Sequence, residues 1–145
     1  MGRLIGLDIG EKRIGVALSD PLMLTAQGLE TYTRRSEDED IRYLVDLMKK
    51  YEVDRIVAGL PRSLNGTIGM QAEITQAFAE KLAAAAELPL EYFDEWMSTA
   101  AATRTLLEAD VSRKKRRQVV DKLAAVHILQ GYMDRQAYLA PPAGT

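Results

Sequence analysis

Near the start of this sequence stand two apolar runs, Leu4-Ile5-Gly6-Leu7-Asp8-Ile9-Gly10 and Ile14-Gly15-Val16-Ala17-Leu18-Ser19, joined by the polar residues Glu11-Lys12-Arg13. Each reads as a buried strand, because large apolar residues crowd a short window. The connection is too short for a crossover, so the two strands run antiparallel. The first run also contains a carboxylate. An ionised Asp in such a strand is costly unless something pairs with it. Asp8 therefore either ends the strand and accepts hydrogen bonds from the turn after it, or meets a partner such as a metal ion. Gly6 and Gly10 lack a Cβ and let another backbone or a ligand come close.

The remaining elements follow from spacing. Asp20-Pro21 is a turn, and residues from about Leu24 to Thr33 read as a third strand on the sheet's edge. Ser36 with Glu39 matches a capping box, and Ile41, Leu44, Val45, Met48 and Tyr51 then recur at helical spacing. Arg55 to Leu60 is a short buried strand, so a strand–helix–strand unit with a parallel crossover is expected. Pro61 to Gly69 is a loop with an Asn65-Gly66 turn signal. A second helix follows, with Met70, Ile74, Ala77, Phe78, Leu82 and Ala85 as its expected apolar stripe. Leu90 to Glu95 is the fifth strand. Ser98 or Thr99 can cap a helix running to about Ala109. After a basic segment, Ser112 to Arg117, a last helix is expected from about Arg117 to Ala137. Three antiparallel strands followed by two parallel additions give a five-stranded mixed sheet of order 3-2-1-4-5, with helices on both faces. This α/β layout is the ribonuclease H-like architecture, here a single domain over residues 1–138 with a disordered tail over 139–145.

In that layout strands one, four and five are parallel, and ligands bind open α/β sheets at the carboxyl ends of such strands. Asp8 lies near the end of strand one, and Asp94 and Glu95 end strand five. Asp121 shares a helical face with Ala125, Ile128 and Tyr132. A carboxylate in that company is paired, is a ligand, or complements the helix dipole. The chain has no Cys and one His, which removes thiol chemistry and any ordinary zinc site. A metal would be held by oxygen, which favours Mg²⁺ or Mn²⁺. Converging carboxylates repel one another without cations, and such a cluster fits metal-dependent phosphoryl transfer. Asp20 ends the antiparallel strand two and falls at the opposite edge. Asp134 reads as a surface residue, and His127 as a packing residue of the last helix.

The charge is unevenly placed. Residues 111–145 hold 7 Lys/Arg against 2 Asp/Glu, while residues 1–110 hold 12 against 19. The result is a basic patch on an acidic body. Arg113, Lys114, Lys115 and Arg116, just before the Asp121 helix, are candidates for nucleic-acid backbone contact or a plain solvated segment. Lys12 and Arg13 return to the active edge, within reach of a phosphate. Arg62, Asn65 and Thr67 either bind phosphate or ribose there or form a simple turn. Trp96 either stacks on a base or covers the core, and Ser98 beside it counts as a further substrate contact. No apolar run approaches 18 residues and no signal-peptide pattern opens the chain, so a cytoplasmic protein without a membrane partner is expected.

Four segments carry a family resemblance. Gly6 to Ala17, Gly59 to Thr67, Asp94-Glu95 with Ser98-Thr99, and Val120 to Ala125 continuing to Ile128-Leu129-Gln130 resemble, in order and spacing, the four signatures of the YqgF (RuvX-like) nuclease family. The resemblance implies a ribonuclease H-like nuclease that trims the 5′ end of pre-16S rRNA during ribosome maturation. It also implies kinship with Holliday-junction resolvases. By position, Asp8, Glu95 and Asp121 inherit the catalytic metal-ligand role, with Asp94 as the alternative to Glu95. The family's third signature typically reads Asp-Glu-Arg, whereas Trp96 holds the Arg position here, so base stacking is the candidate replacement for a phosphate contact. The expected partner is structured RNA and the pre-ribosome, bound by a monomer or weak dimer. Competing readings are a resolvase of branched DNA, which would need a two-fold dimer, and a non-catalytic ribosome-assembly factor. A small ATPase of the actin or sugar-kinase type shares the Gly-x-Asp-x-Gly strand but needs two such domains.

Overall fold

A computed structural model describes residues 2–22, 24–61, 70–95 and 113–139, with side chains over the same ranges except at 61, 94, 95, 113–120, 138 and 139. The elements are β1 (Arg3–Ile9), β2 (Arg13–Ser19), β3 (Ala26–Thr33), α1 (Glu37–Lys50), β4 (Val53–Pro61), α2 (Met70–Ala86), β5 (Leu90–Glu95) and α3 (Arg113–Leu139). The sheet order is β3-β2-β1-β4-β5, as the connection lengths require. β1 pairs antiparallel with β2 and parallel with β4, and β4 pairs parallel with β5. On the edge strand, Val16 faces Glu30 and Ala17 faces Gly28, so Leu29 is the extra residue of a bulge.

Strand alternation divides the core. Ile5, Leu7 and Ile9 point to one face and pack with Leu44 and Met48 of α1 and Phe78, Ala79 and Leu82 of α2. Leu4, Ala17 and Val57 point to the other face, where Ala125, Ile128, Leu129, Tyr132 and Met133 of α3 cover them. Fully burying each large side chain contributes about 1.5–3 kcal/mol. Glycines set how close α3 can come. A Cβ at Gly6 would stand 2.6 Å from Leu129 Cβ, and one at Gly15 would overlap the carbonyl oxygen of Asp121. The Tyr132 hydroxyl ties three elements together. It accepts from Arg55 Nη1 of β4 at 3.0 Å and donates to Glu91 of β5.

Helix α1 is capped as its sequence predicts. The Ser36 hydroxyl accepts from the Glu39 amide at 3.2 Å. Two expectations are corrected. In α2 the buried residues are Ala72, Thr75, Phe78, Ala79, Leu82 and Ala83. Met70 and Ile74 are exposed at 78% and 54%, and Ala77 and Ala85 are exposed as well. Alanines on every side of this helix blur its period, and the small side chains of Ala72, Ala79 and Ala83 are what let it lie close to the sheet. The last helix starts at Arg113, not Arg117. Lys and Arg are good helix formers, but a run of charge carries no apolar stripe to reveal it. This helix also runs through Leu139, and residues 140–145 lie outside the described residues, as does the helix expected from Ser98 or Thr99 to Ala109. Among the described residues no helix is long and apolar enough to cross a membrane.

Candidate active site

The carboxyl ends of β1, β4 and β5 share one edge of the sheet, and the candidate site residues of β1 and β5 lie at that edge. Asp8, half-buried, stands one residue before the end of β1 and opposite Gly15 of β2. In that parity it follows Leu4 and Gly6, so it belongs to the face covered by α3. Gly15 lies directly against the Asp121 main chain. The β1–β2 register and one missing Cβ therefore bring the Asp121 main chain against the residue paired with Asp8.

Asp121 is held by Arg13. The guanidinium Nε donates to Asp121 Oδ2 at 2.7 Å, with the two side chains 28% and 17% exposed. The sequence placed Arg13 near a phosphate. The structure gives it a carboxylate partner at the same edge. Lys12, its neighbour in the turn, is exposed. The strand pairs Leu60↔Asp94 and Pro61↔Glu95 put the end of β5 on this edge too.

Arg62, Asn65, Thr67, Trp96 and Ser98 lie outside the described residues, so the structure neither gathers nor separates them. Arg113, Lys114, Lys115 and Arg116 form the first turn of α3 instead of a segment ahead of it, and no acidic residue accompanies them. Asp20 sits at the opposite edge as expected. Its Oδ1 accepts from the amides of Leu24 and Thr25 at 2.7 and 2.8 Å. The Thr25 amide bond is the largest influence on the Asp20 carboxyl, which titrates below its ordinary value. His127 is half-buried in α3, and Asp134 is exposed.

Sequence reasoning missed the support beneath the β1–β2 turn. Arg34 Nη1 donates to the Gly10 carbonyl at 2.9 Å, and the Arg34 amide donates to the Lys12 carbonyl at 2.9 Å. Arg34 Nε in turn donates to Asp40 Oδ2 at 2.9 Å, and the Arg34 guanidinium lies 4.5 Å over the Phe78 ring. Asp40 is 1% exposed and also accepts from the Tyr32 hydroxyl and the Arg35 amide, each at 2.9 Å. Nothing in the sequence separated Asp40 from the three other acids of the first turn of α1. Burial raises the Asp40 carboxyl, but the bonds from the Arg35 amide, Arg34 and Tyr32 outweigh it, and the net shift is downward from 3.8. A carboxyl depressed on folding contributes stability above its unfolded value, and that stability is lost as the pH falls through the lower folded value. Acid unfolding is therefore expected to begin below about pH 3.8. Asp40→Asn, which loses the charge-assisted bonds, is expected to cost about 2 kcal/mol at neutral pH. It should also flatten the acid limb of a stability-versus-pH curve from urea titrations.

The donor set is all oxygen. Asp8 and Asp121 offer hard carboxylate oxygens of the kind that suit a hard divalent cation. Among the described residues no three His, Asp or Glu side chains form a ready-made cage. Two carboxylates at one edge, with a third position at the end of β5, still fit a hard divalent ion.

Comparison with known proteins agrees with this architecture. A family model described as "RuvX: Holliday junction resolvase" matches residues 2–135. A protein of Moorella thermoacetica named "Putative pre-16S rRNA nuclease" is 56% identical over 133 residues, covering 92% of this chain and 95% of its own. One of Symbiobacterium thermophilum with the same name is 56% identical over 139 residues, covering 96% of each. Among solved structures, Thermus thermophilus RuvC in complex with a Holliday junction substrate superposes with a TM-score of 0.61 at 11% identity, over 98% of this chain and 99% of that one. The fowlpox virus resolvase bound to Holliday junction DNA gives 0.56 at 12%, over 95% and 99%. At such identities these two likenesses establish a shared fold. With the family model spanning nearly its whole length and relatives more than half identical to it, the chain belongs to the RuvX family.

Proposed function

We propose that this chain is a divalent-metal-dependent nuclease that hydrolyses phosphodiester bonds in structured RNA, at the 5′ end of pre-16S rRNA, in the cytoplasm. The observation that carries the reading is the Asp121 main chain lying against Gly15, the strand partner of Asp8, at the carboxyl edge of β1. The name borne by relatives 56% identical to it supplies the substrate. Position 95 is the third ligand in this reading. The pairs Leu60↔Asp94 and Pro61↔Glu95 bring the end of β5 to this edge, and Asp94 is the alternative ligand.

Bound Mg²⁺ or Mn²⁺ would supply an activated water and charge neutralisation at the phosphate. The chain's own residues do the rest. Asp8, Glu95 and Asp121 would hold the ion. The rigid turn 10–13 presents Lys12 to the phosphate backbone, and Arg13 neutralises Asp121. The basic first turn of α3 opposes the helix dipole and gains most when an anion lies against it. Arg62, Asn65, Thr67, Trp96 and Ser98 complete the substrate contacts in this reading. Removing the Arg13 charge frees Asp121 for the ion. Arg13→Gln is expected to tighten Mn²⁺ binding about fivefold, the scale of one partly exposed ion pair, measured by isothermal titration calorimetry.

A second reading, a resolvase of four-way DNA junctions, is favoured by the family description. The test is cleavage of an end-labelled pre-16S leader and a four-way DNA junction with Mg²⁺, with Mn²⁺ and with EDTA. Metal-dependent cutting of the leader, abolished by EDTA, is expected. Cutting of the junction alone would move the assignment to the resolvase. Binding of the leader with no cutting under any condition would leave a ribosome-assembly factor.

A further inference from the structure

A second recess opens on the other side of the β1–β2 turn, on the sheet face away from α3. It encloses about 650 Å³, beside the turn, α1 and the start of α2. We propose that it is a second nucleic-acid subsite, taking a nucleotide of the strand that flanks the scissile phosphate, with its phosphate held by Lys12, Arg34 and Arg35. The proposal rests on the nuclease reading above and extends it from the reacting bond to the neighbouring strand.

Three observations carry it. The first is charge. Six ionisable residues line the recess, Glu11, Lys12, Arg34, Arg35, Glu37 and Asp40. Two of the acids are already spent, Asp40 on Arg34 at 2.9 Å and Glu37 on Lys81 at 3.1 Å. Lys12 and Arg35, both exposed, then face Glu11, and the rim carries a surplus of cation. The second is preorganisation. Arg34 is fixed by Asp40, by the Gly10 carbonyl and by the Phe78 ring. Those two hydrogen bonds use two of its five N–H donors. The side chain stays 18% exposed where it lines the recess, so a rigid guanidinium edge remains for a phosphate oxygen. The third is Thr75 on the floor. It is completely buried, and its Oγ1 has no partner among the described residues. An unpaired buried hydroxyl costs about 1–3 kcal/mol, and this one belongs to a residue that lines the recess.

The placement suits a continuous strand. Arg13 reaches Asp121 on one side of the turn, and Lys12, the preceding residue, lines the recess on the other. A strand crossing the turn meets the candidate metal ligands and then this recess. Beside the cations, Gln71 offers an amide and Ile74, 54% exposed, an apolar surface. Together these match the polar edge and flat face of an unstacked base.

The test uses Arg35→Glu/Gln71→Glu, two exposed rim positions on different elements. Binding of a fluorescein-labelled single-stranded oligoribonucleotide is followed by anisotropy in EDTA over a range of salt. The double variant is expected to bind at least about tenfold more weakly, with the slope of log affinity against log salt reduced by about one, as for one lost phosphate contact. Arg35→Gln, the milder change, should move both quantities the same way with an unaltered melting temperature. Unchanged affinity and slope in the double variant would overturn the subsite. If Asp8→Asn meanwhile abolishes cleavage, the nuclease reading stands without it. If the wild type cuts no RNA, the nuclease reading fails, and the binding data still decide the recess. Adenosine monophosphate is the control for a free-nucleotide site. Displacement of the oligonucleotide by this mononucleotide at equal phosphate concentration would overturn the flanking-strand assignment.

Discussion

Asp8→Asn is expected to abolish RNA cleavage while leaving the protein folded. Asn matches Asp in shape, and the position is half-buried at a strand end, so the packing of Ile5, Leu7 and Ile9 behind it is untouched. What is lost is a negative ligand at the centre of the candidate metal site. Charge stabilisation by a bound ion amounts to several kcal/mol in the transition state. A loss of about 4 kcal/mol corresponds to about a thousandfold in rate. Single-turnover cleavage of the end-labelled leader reads the rate, thermal unfolding reads the fold, and anisotropy reads RNA binding, which should stay within about twofold. A variant that still cuts within tenfold of the wild type would remove Asp8 from the metal site.

Gly15→Val should produce the largest loss of stability of any single change at the site. The new Cβ would collide with the Asp121 carbonyl, and both colliding groups are anchored to main chain. Neither can swing aside, so the β1–β2 pair or α3 must move. Overpacking a well-ordered interior costs about 1–3 kcal/mol, and a backbone collision belongs at or beyond the upper end. A loss of at least about 3 kcal/mol in urea unfolding is expected, with cleavage reduced further because Asp121 shifts away from Asp8. Gly28→Ala is the contrast. Its Cβ would meet Cγ and Cδ of Lys122 at 2.5 and 2.9 Å, side-chain atoms that a rotamer change at Lys122 can move where a main-chain carbonyl cannot. The loss there should be smaller, about 1 kcal/mol.

These two positions also mark how far the sequence could be read. The sheet order was legible because short and long connections dictate antiparallel and parallel pairing. Asp8 stood out as a carboxylate inside an apolar run, and Asp121 as one sharing a helical face with Ala125, Ile128 and Tyr132, all three of which are buried. What stayed hidden were contacts between elements. Asp40 looked like one of four acids favouring the start of α1, yet Tyr32, Arg34 and Arg35 from another segment make it the anchor of the turn. The face of α2 was obscured by alanines, and the start of α3 by uniform charge. The Gly15 contact with Asp121 lies in the register of two strands beneath a distant helix, which periodicity cannot express.

The arrangement of α3 has a consequence for how the molecule comes into being. Arg13 and Asp121, whose side chains meet at 2.7 Å, are 108 residues apart in the chain. As the polypeptide leaves the ribosome, strands β1 to β5 emerge before the helix that covers Leu4, Ala17 and Val57. Until that helix docks, Arg13 lacks its Asp121 partner, and the sheet has one apolar face bare. Such long-range closure is slow compared with local helix formation. A half-made chain therefore keeps that face exposed until the last packing step, when Arg13 and Asp121 first meet.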